Sequence, residues 1–340
     1  MMVSSFSRVM SAIERKPVSR VPVVPQMFYA TSKIIGVTFE EAMDDAEIMA
    51  KALLAGYESL GYDGVYADWE SFTLITELFG CETYFKSGTI PMVNSSVISD
   101  RDDLRKIRPI EPEKEGRLPS HLRTIEIIKK ELGDDAPVFT RVVAPFTLAS
   151  LLRGTNDFLR DIIRDPELVN EIIVRLLPFI ESLIVSKIER GADIIVMVDP
   201  IASGSLISKQ MFREFSFPFI KDLMKKIYEN GAIPSLHICG DSSSLIDLMI
   251  RTNAKILEVD HPVDIAHTKK LNDVCVQGNM NPPDFITKRP EQIFEESKKL
   301  IEDVGNRGFI LSTGCDVPYN ASLENIKAMV DASHSVKFEL

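Results

Sequence analysis

Eight short apolar runs, rich in β-branched residues and separated mostly by helical patterns, constrain the fold of this chain more than any other feature. They cover residues 21–25, 64–68, 138–143, 193–199, 233–239, 255–260, 274–280 and 309–314. Runs of this kind, alternating with helices, read as parallel strands joined by crossover helices. Eight such units close a (β/α)8 TIM barrel, an α/β fold. Helical periodicity is expected over residues 39–60, 166–190, 209–230, 290–304 and 323–333, after an N-terminal helix over about residues 5–14. Pro166 and Pro290 fall in first turns, where a missing N–H costs nothing.

The rhythm breaks over residues 69–118, where Gly88, Pro91, Pro109 and Pro112 interrupt alternating residues and charge gathers near Arg101. This stretch reads as an insertion after strand two, packed on the barrel. A barrel with such an insertion absorbs all 340 residues as one domain, 1–340. An apolar fraction of 45% against 26% charged is enough for a large core and argues against disorder. No apolar run is long enough to cross a bilayer, and residues 1–20 lack the apolar stretch of a signal peptide, so a cytoplasmic protein without membrane contact is expected. The net charge of -11 would repel a phosphate backbone, which argues against nucleic acid. Four cysteines are too few for a disulfide framework and imply reduced thiols.

Two of those thiols fall in a suggestive pattern. In Ser235-Leu236-His237-Ile238-Cys239-Gly240, residues two apart on a strand share a face, so Ser235, His237 and Cys239 oppose Leu236 and Ile238. Cys315, after the last strand, supplies a third soft ligand. Three such ligands with an open fourth position describe a catalytic zinc site. The residues alone equally allow a hydrogen-bonded core histidine and two buried thiols acting as small hydrophobes. A competing set of Asp247, Cys275 and Cys315 fails on geometry, because Cys275 opens a strand and Cys315 follows one, on the order of 15 Å apart. Cys275 and Cys81 read as packing residues.

Polar residues gather where strands end: Asp68, Asp199, His237, Cys239, Asp260, Asn279 and Cys315. That end of a barrel carries the active site. Asp199 and Asp260 are the candidate catalytic carboxylates, with loop bracing as the competing role. Glu258 shares a face with Asp260, and either could complete a metal shell. Asp68 and Asn279 are candidate substrate contacts, and Met27, Phe28, Tyr29, Trp69 and Phe72 could wall an apolar pocket.

These motifs resemble the uroporphyrinogen decarboxylase superfamily, and within it the zinc- and corrinoid-dependent methyltransferase branch. The resemblance runs nearly end to end, through Arg20-Val21-Pro22-Val23, Ala144-Pro145-Phe146-Thr147-Leu148-Ala149, Leu236-His237-Ile238-Cys239-Gly240, Gly278-Asn279-Met280, Gly314-Cys315-Asp316-Val317-Pro318 and Leu323-Glu324-Asn325-Ile326. Its His-x-Cys and Gly-Cys elements match the zinc ligands of methylcorrinoid:coenzyme M methyltransferases, which implies Zn2+ on His237, Cys239 and Cys315. True decarboxylases carry an arginine-containing loop after strand one to grip carboxylates. Here that loop, Gln26-Met27-Phe28-Tyr29-Ala30-Thr31-Ser32, has no arginine. The resemblance therefore implies methyl transfer between a small substrate and the cobalt of a corrinoid on a separate partner protein, since the chain lacks an Asp-x-His-x-x-Gly signature. The aromatic loop and a scarcity of Lys or Arg near strand ends favour an aryl methyl ether over a thiol such as coenzyme M. A decarboxylase-like activity or a noncatalytic zinc-stabilised barrel are the alternatives.

Overall fold

The computed structural model describes residues 3–68, 72–84, 91–271 and 273–339. Its strands are β1 Val65–Tyr66, β2 Thr83–Tyr84, β3 Met92–Val93, β4 Val138–Val143, β5 Ile194–Val198, β6 Ile233–Ile238, β7 Ile256–Val259, β8 Cys275–Met280 and β9 Phe309–Thr313. Strands β1 and β4 to β9 form one parallel sheet in chain order, as strand-helix alternation predicts. Strands β4, β5, β7 and β9 are buried along their whole length, which is why they read as continuous apolar runs.

The eighth stave is present without being a regular strand. Residues 21–25 lie between the two sheet edges: Val24 N–H donates to Leu311 and Leu311 N–H to Pro22 on one side, and Asp63 N–H donates to Val23 on the other. Val23 and Leu311 form an isolated parallel bridge. Pro22 and Pro25 lack the N–H that a full ladder requires, which explains closure by scattered bonds. Below this stave, Asp63 accepts from Ser5 Oγ at 2.8 Å, from Arg20 Nη2 at 2.8 Å and from Val23 N at 2.9 Å, tying the N-terminal helix Ser5–Ile13 to the barrel floor.

Two expected helices are each broken in two. The pattern over 39–60 resolves into Phe39–Ala42 and Ala46–Leu60, because Asp45 leaves the helix and caps the second segment through Ile48 N at 2.9 Å. The pattern over 209–230 resolves into Lys209–Phe215 and Phe217–Glu229, with Pro218 in the first turn of the second. Helices Leu118–Leu132, Pro145–Arg153 and Thr155–Arg164 are additions to the sequence reading. Helices Pro166–Glu189, Pro290–Val304 and Leu323–Ser335 lie where expected.

Within the stretch 69–118, β2 and β3 form an antiparallel pair. The segment lies on the barrel helices: Val97 and Ile98 N–H groups donate to Leu152, Arg153 Nη1 returns a bond to Ile98, and Ile98, Leu104 and Ile110 are buried. No helix among the described residues is long and apolar enough to cross a membrane.

Candidate metal centre

The barrel interior carries polar residues where alternation turns them inward. On β6, Ser235 and His237 are both buried; Ser235 Oγ donates to Glu258 Oε1 at 3.0 Å, and Tyr66 Oη donates to the same oxygen at 3.0 Å. His237 pairs in register with Glu258 on β7. One residue past β6, Cys239 is half-buried; two residues past β9, so is Cys315. The His237 Nε2 atom lies 3.1 Å from Cys239 Sγ, which lies 3.6 Å from Cys315 Sγ. Burial alone would lower the His237 pKa, but the Cys315 thiol and the Glu258 and Asp260 carboxylates outweigh it and carry the imidazole up to about 9.

This donor set fits zinc. With Zn–S near 2.3 Å and Zn–N near 2.0–2.1 Å, tetrahedral ligands stand roughly 3.5–3.8 Å apart. All three ligand atoms here lie within 4.8 Å of one another. The sulfurs are not bonded as a disulfide, whose length is about 2.05 Å. Neither Glu258 nor Asp260 joins the cluster. Cys275 opens β8 and is fully buried, its thiol pushed up to about 12 by burial, and Asp247 pairs with Lys209 at 2.5 Å. The competing ligand set is therefore dispersed.

Asp260 stands between the loops that carry Cys239 and Cys315. Its Oδ2 accepts from Gly240 N at 2.7 Å and its Oδ1 from His261 N at 2.7 Å. A Cβ on Gly314 would meet Asp260 Oδ1 at 2.6 Å, so the Cys315 loop approaches this closely only with glycine there. Asn279 donates to the backbone oxygens of Asp260 at 3.2 Å and Val263 at 2.7 Å, holding the loop after β7. Asp199 is fully buried; its Oδ1 accepts from Thr147 N and Oγ1 and its Oδ2 from Ser216 Oγ, the residue freed where the helix breaks. Burial pushes its pKa up to about 6 against those three donors.

Asp68 is buried with Lys187, whose Nζ lies 3.0 Å from Asp68 Oδ2, and that oxygen also accepts from Thr140 Oγ1 and Arg141 N. Burial raises the Asp68 pKa, yet Lys187 and Arg141 overcome it and leave the carboxyl below its ordinary value. Asp68 Oδ1 has no hydrogen-bond partner among the described residues. Trp69 lies outside the described residues.

The aromatic loop divides. Tyr29 is half-buried, stacked 6.2 Å from Tyr319 and edge-on 5.9 Å from Phe39, and Lys33 ties the two segments by donating to the Tyr319 carbonyl at 3.1 Å. Burial first, then Asp316 and Cys315 against Arg141, hold its phenol up at about 12. Phe28, in contrast, is fully buried against Tyr66 and has φ of +35°. A bulky residue in that region costs roughly 1–3 kcal/mol.

The Phe28 ring carries Arg141, whose guanidinium carbon sits 3.5 Å from the ring centroid. Arg141 Nη1 pairs with Asp316 Oδ1 at 2.9 Å, next to Cys315. The expected scarcity of cations near the site is thereby corrected. Arg141 escapes a pattern-based reading because it sits inside the β-branched run Val138–Val143; a charged residue in such a run was itself the available signal.

Comparison with known proteins agrees with this architecture. The family model described as uroporphyrinogen decarboxylase (URO-D) matches residues 4–336. Methylcobamide:CoM methyltransferase MtbA of Methanosarcina acetivorans is 29% identical over 339 residues, 97% of this chain and 98% of that one. Methylcobamide:CoM methyltransferase MtaA of Methanosarcina barkeri is 28% identical over 336 residues, 96% of each chain. The solved structure of a methyltransferase from Methanosarcina mazei superposes with a TM-score of 0.85 at 25% identity, covering 98% of this chain and 99% of that one.

Proposed function

Because the chain belongs to the uroporphyrinogen decarboxylase (URO-D) family, and its near full-length relatives are methylcobamide:CoM methyltransferases, we propose that it moves a methyl group between a small substrate and the cobalt of a corrinoid on a separate protein. The observation that carries this reading is the His237, Cys239, Cys315 cluster, a three-ligand set that leaves one tetrahedral position for substrate. Zinc, when held there, supplies the charge that lowers a thiol pKa or polarises an ether oxygen.

The chain's own residues do the rest. Asp260 fixes the two ligand loops relative to each other through Gly240 and Gly314. Asn279 steadies the loop that holds Asp260, and Asp199 braces the start of the loop after β5. Asp68, whose Oδ1 has no hydrogen-bond partner among the described residues, is the candidate acceptor from substrate, and Tyr29 walls the mouth with Tyr319. Reduced thiols at the site suit a cytoplasmic protein.

The names of the relatives specify coenzyme M and support a thiol as the small substrate. The Tyr29, Phe39 and Tyr319 rings support an aryl methyl ether as the second reading. Decarboxylation of a polycarboxylate has less support, because the loop over residues 26–32 lacks arginine.

The test is to measure metal content and to follow cobalt absorbance during turnover of thiols and aryl methyl ethers with a corrinoid protein. About one zinc per chain and methyl transfer only with the corrinoid protein are expected. A zinc-free protein that converts uroporphyrinogen to coproporphyrinogen would overturn the reading.

A further inference from the structure

Of the four cysteines, Cys239 and Cys315 are the two whose thiols meet. Their sulfurs lie 3.6 Å apart, so the bonded length of about 2.05 Å is roughly 1.5 Å of movement away. Each stands just outside its strand with a glycine beside it: Gly240, with φ of +71°, follows Cys239, and Gly314 precedes Cys315. Asp260 keeps the two loops in register, accepting from Gly240 N at 2.7 Å and lying so near Gly314 that a Cβ there would meet its Oδ1 at 2.6 Å. The sulfurs are thus held at a spacing that a metal bridges and that side-chain rotation closes. Both residues are half-buried and within reach of a small oxidant, whereas Cys81 and Cys275 are buried and behave as inert structural thiols. A metal and a disulfide therefore compete for the same two atoms. Zinc takes both as thiolates at the ligand spacing of roughly 3.5–3.8 Å, while oxidation joins them and leaves His237 alone of the three ligands.

We infer that the site is a redox latch: in the metal-free chain a peroxide joins Cys239 Sγ to Cys315 Sγ, which bars zinc until a dithiol reductant reopens the pair, and bound zinc protects both sulfurs. The inference rests on the metal centre proposed above and names a regulation of it. The step balances. One sulfur attacks a peroxide oxygen and breaks the O–O bond, becoming a sulfenic acid, and the departing hydroxide leaves as water with that thiol's proton. The second sulfur attacks the sulfenic sulfur, the S–S bond forms, and a second water carries away the remaining proton. Two electrons pass from the sulfurs to one peroxide. A dithiol returns them by exchange and becomes a disulfide itself. The neighbouring thiol also stops the first sulfur from passing on to the irreversible sulfinic acid.

The test treats the full chain with hydrogen peroxide, once zinc-loaded and once after chelation, and follows intact mass, non-reducing peptide maps and zinc reloading. The metal-free chain should lose about 2 Da, yield one cross-linked pair of peptides carrying Cys239 and Cys315, and then take up less than about a tenth of the zinc that the untreated chain binds. Dithiothreitol should restore about one zinc per chain. The zinc-loaded chain should cross-link at least roughly tenfold more slowly. Cys239→Ser and Cys315→Ser each lack the resolving thiol, so each should instead gain about 32 Da on the remaining sulfur, which dithiothreitol does not remove. Cys275→Ala should cross-link as the wild type does. Oxygen added to the wild-type sulfurs without a cross-link, unchanged zinc reloading after oxidation, or equal rates with and without zinc overturns the inference. Those three readouts come from the wild-type chain, so they stand where a variant fails to fold. Any of them in a chain whose reduced form takes up zinc overturns this inference alone; a reduced chain that takes up no zinc overturns it together with the metal centre.

Discussion

The floor and the mouth of the barrel hold buried carboxylates in different ways. On the floor, buried Asp63 is satisfied by Arg8, Arg20, Ser5 and a backbone N–H, and half-buried Asp193 is held by Lys129 Nζ at 2.9 Å and by Val138 N at 2.9 Å. At the mouth, among the described residues, Asp199 has no cation as a hydrogen-bond partner, Asp68 pairs with Lys187 through Oδ2 but leaves Oδ1 without a hydrogen-bond partner, and His237 Nδ1 and Ser312 Oγ are likewise buried without one. Phe28 adds backbone strain on the same side. Polar groups left unsatisfied in the interior cost free energy, so a fold tolerates them where they have other work. The floor is built for stability and the mouth for chemistry.

The largest expected effect tests that division directly. Removing one partner from a buried ion pair costs about 3–5 kcal/mol, so Asp63→Ala should lower unfolding free energy by that order while the folded fraction still binds zinc at wild-type stoichiometry. Cys239→Ala and Cys315→Ala should do the converse. Each should lose most of the zinc and at least about a hundredfold in methyl transfer, yet melt close to the chelator-treated wild type. Cys275→Ala should retain the metal. Denaturant titration and metal analysis on the same four variants decide the matter, and full zinc in both ligand variants would erase the distinction.

The two ends also differ in how much of them can be read from sequence. The eight staves are legible because parallel strands buried on both faces must be β-branched and apolar, and the candidate metal cluster is legible because Cys239, one residue past β6, follows His237 at the two-residue spacing that keeps one face. The Asp63 cluster is not, since it joins residues 5, 8, 20, 23 and 63 by tertiary contact without local periodicity. The breaks at Met43 and Ser216 are missed because capping and proline effects act within a turn, where apolar periodicity continues unbroken. The role of Ser216 on Asp199 follows from such a break, so it shares that invisibility.

Asp199 supplies the next test, on whether a mouth carboxylate braces or catalyses. Its folded pKa is about 6, above the unfolded value, so the folded state binds the proton more tightly. The stabilising contribution is full below the unfolded pKa of about 3.9 and is lost as pH rises through the folded value, a change of at most about 3 kcal/mol. Asp199→Asn removes this titration and keeps an oxygen for Thr147. The variant should therefore gain on the wild type by roughly 2–3 kcal/mol between pH 4 and pH 7.5, as read by urea unfolding at several pH values. A brace predicts near wild-type methyl transfer at neutral pH. Loss of turnover in a stably folded variant would instead make Asp199 catalytic.

The smallest effect belongs to Tyr29, where the mouth meets solvent. Its ring stacks on Tyr319 and abuts Phe39. If the small substrate is aromatic, one offset or edge-on contact adds about 0.5–1.5 kcal/mol beyond burial, so Tyr29→Ala should weaken its apparent affinity by about two- to twelvefold. Zinc content and dependence on the corrinoid protein should not change. A thiol without a ring gains little from that face, so its saturation curve should move less than that of the ether. Should the ring serve only to pack residues 28–34 against the segment carrying Tyr319, the variant would lose melting temperature and keep both saturation curves. Saturation with an aryl methyl ether and with a thiol, beside thermal melts of the same preparation, separates these outcomes, and unaltered curves for both substrates would remove the aromatic wall as support for an ether.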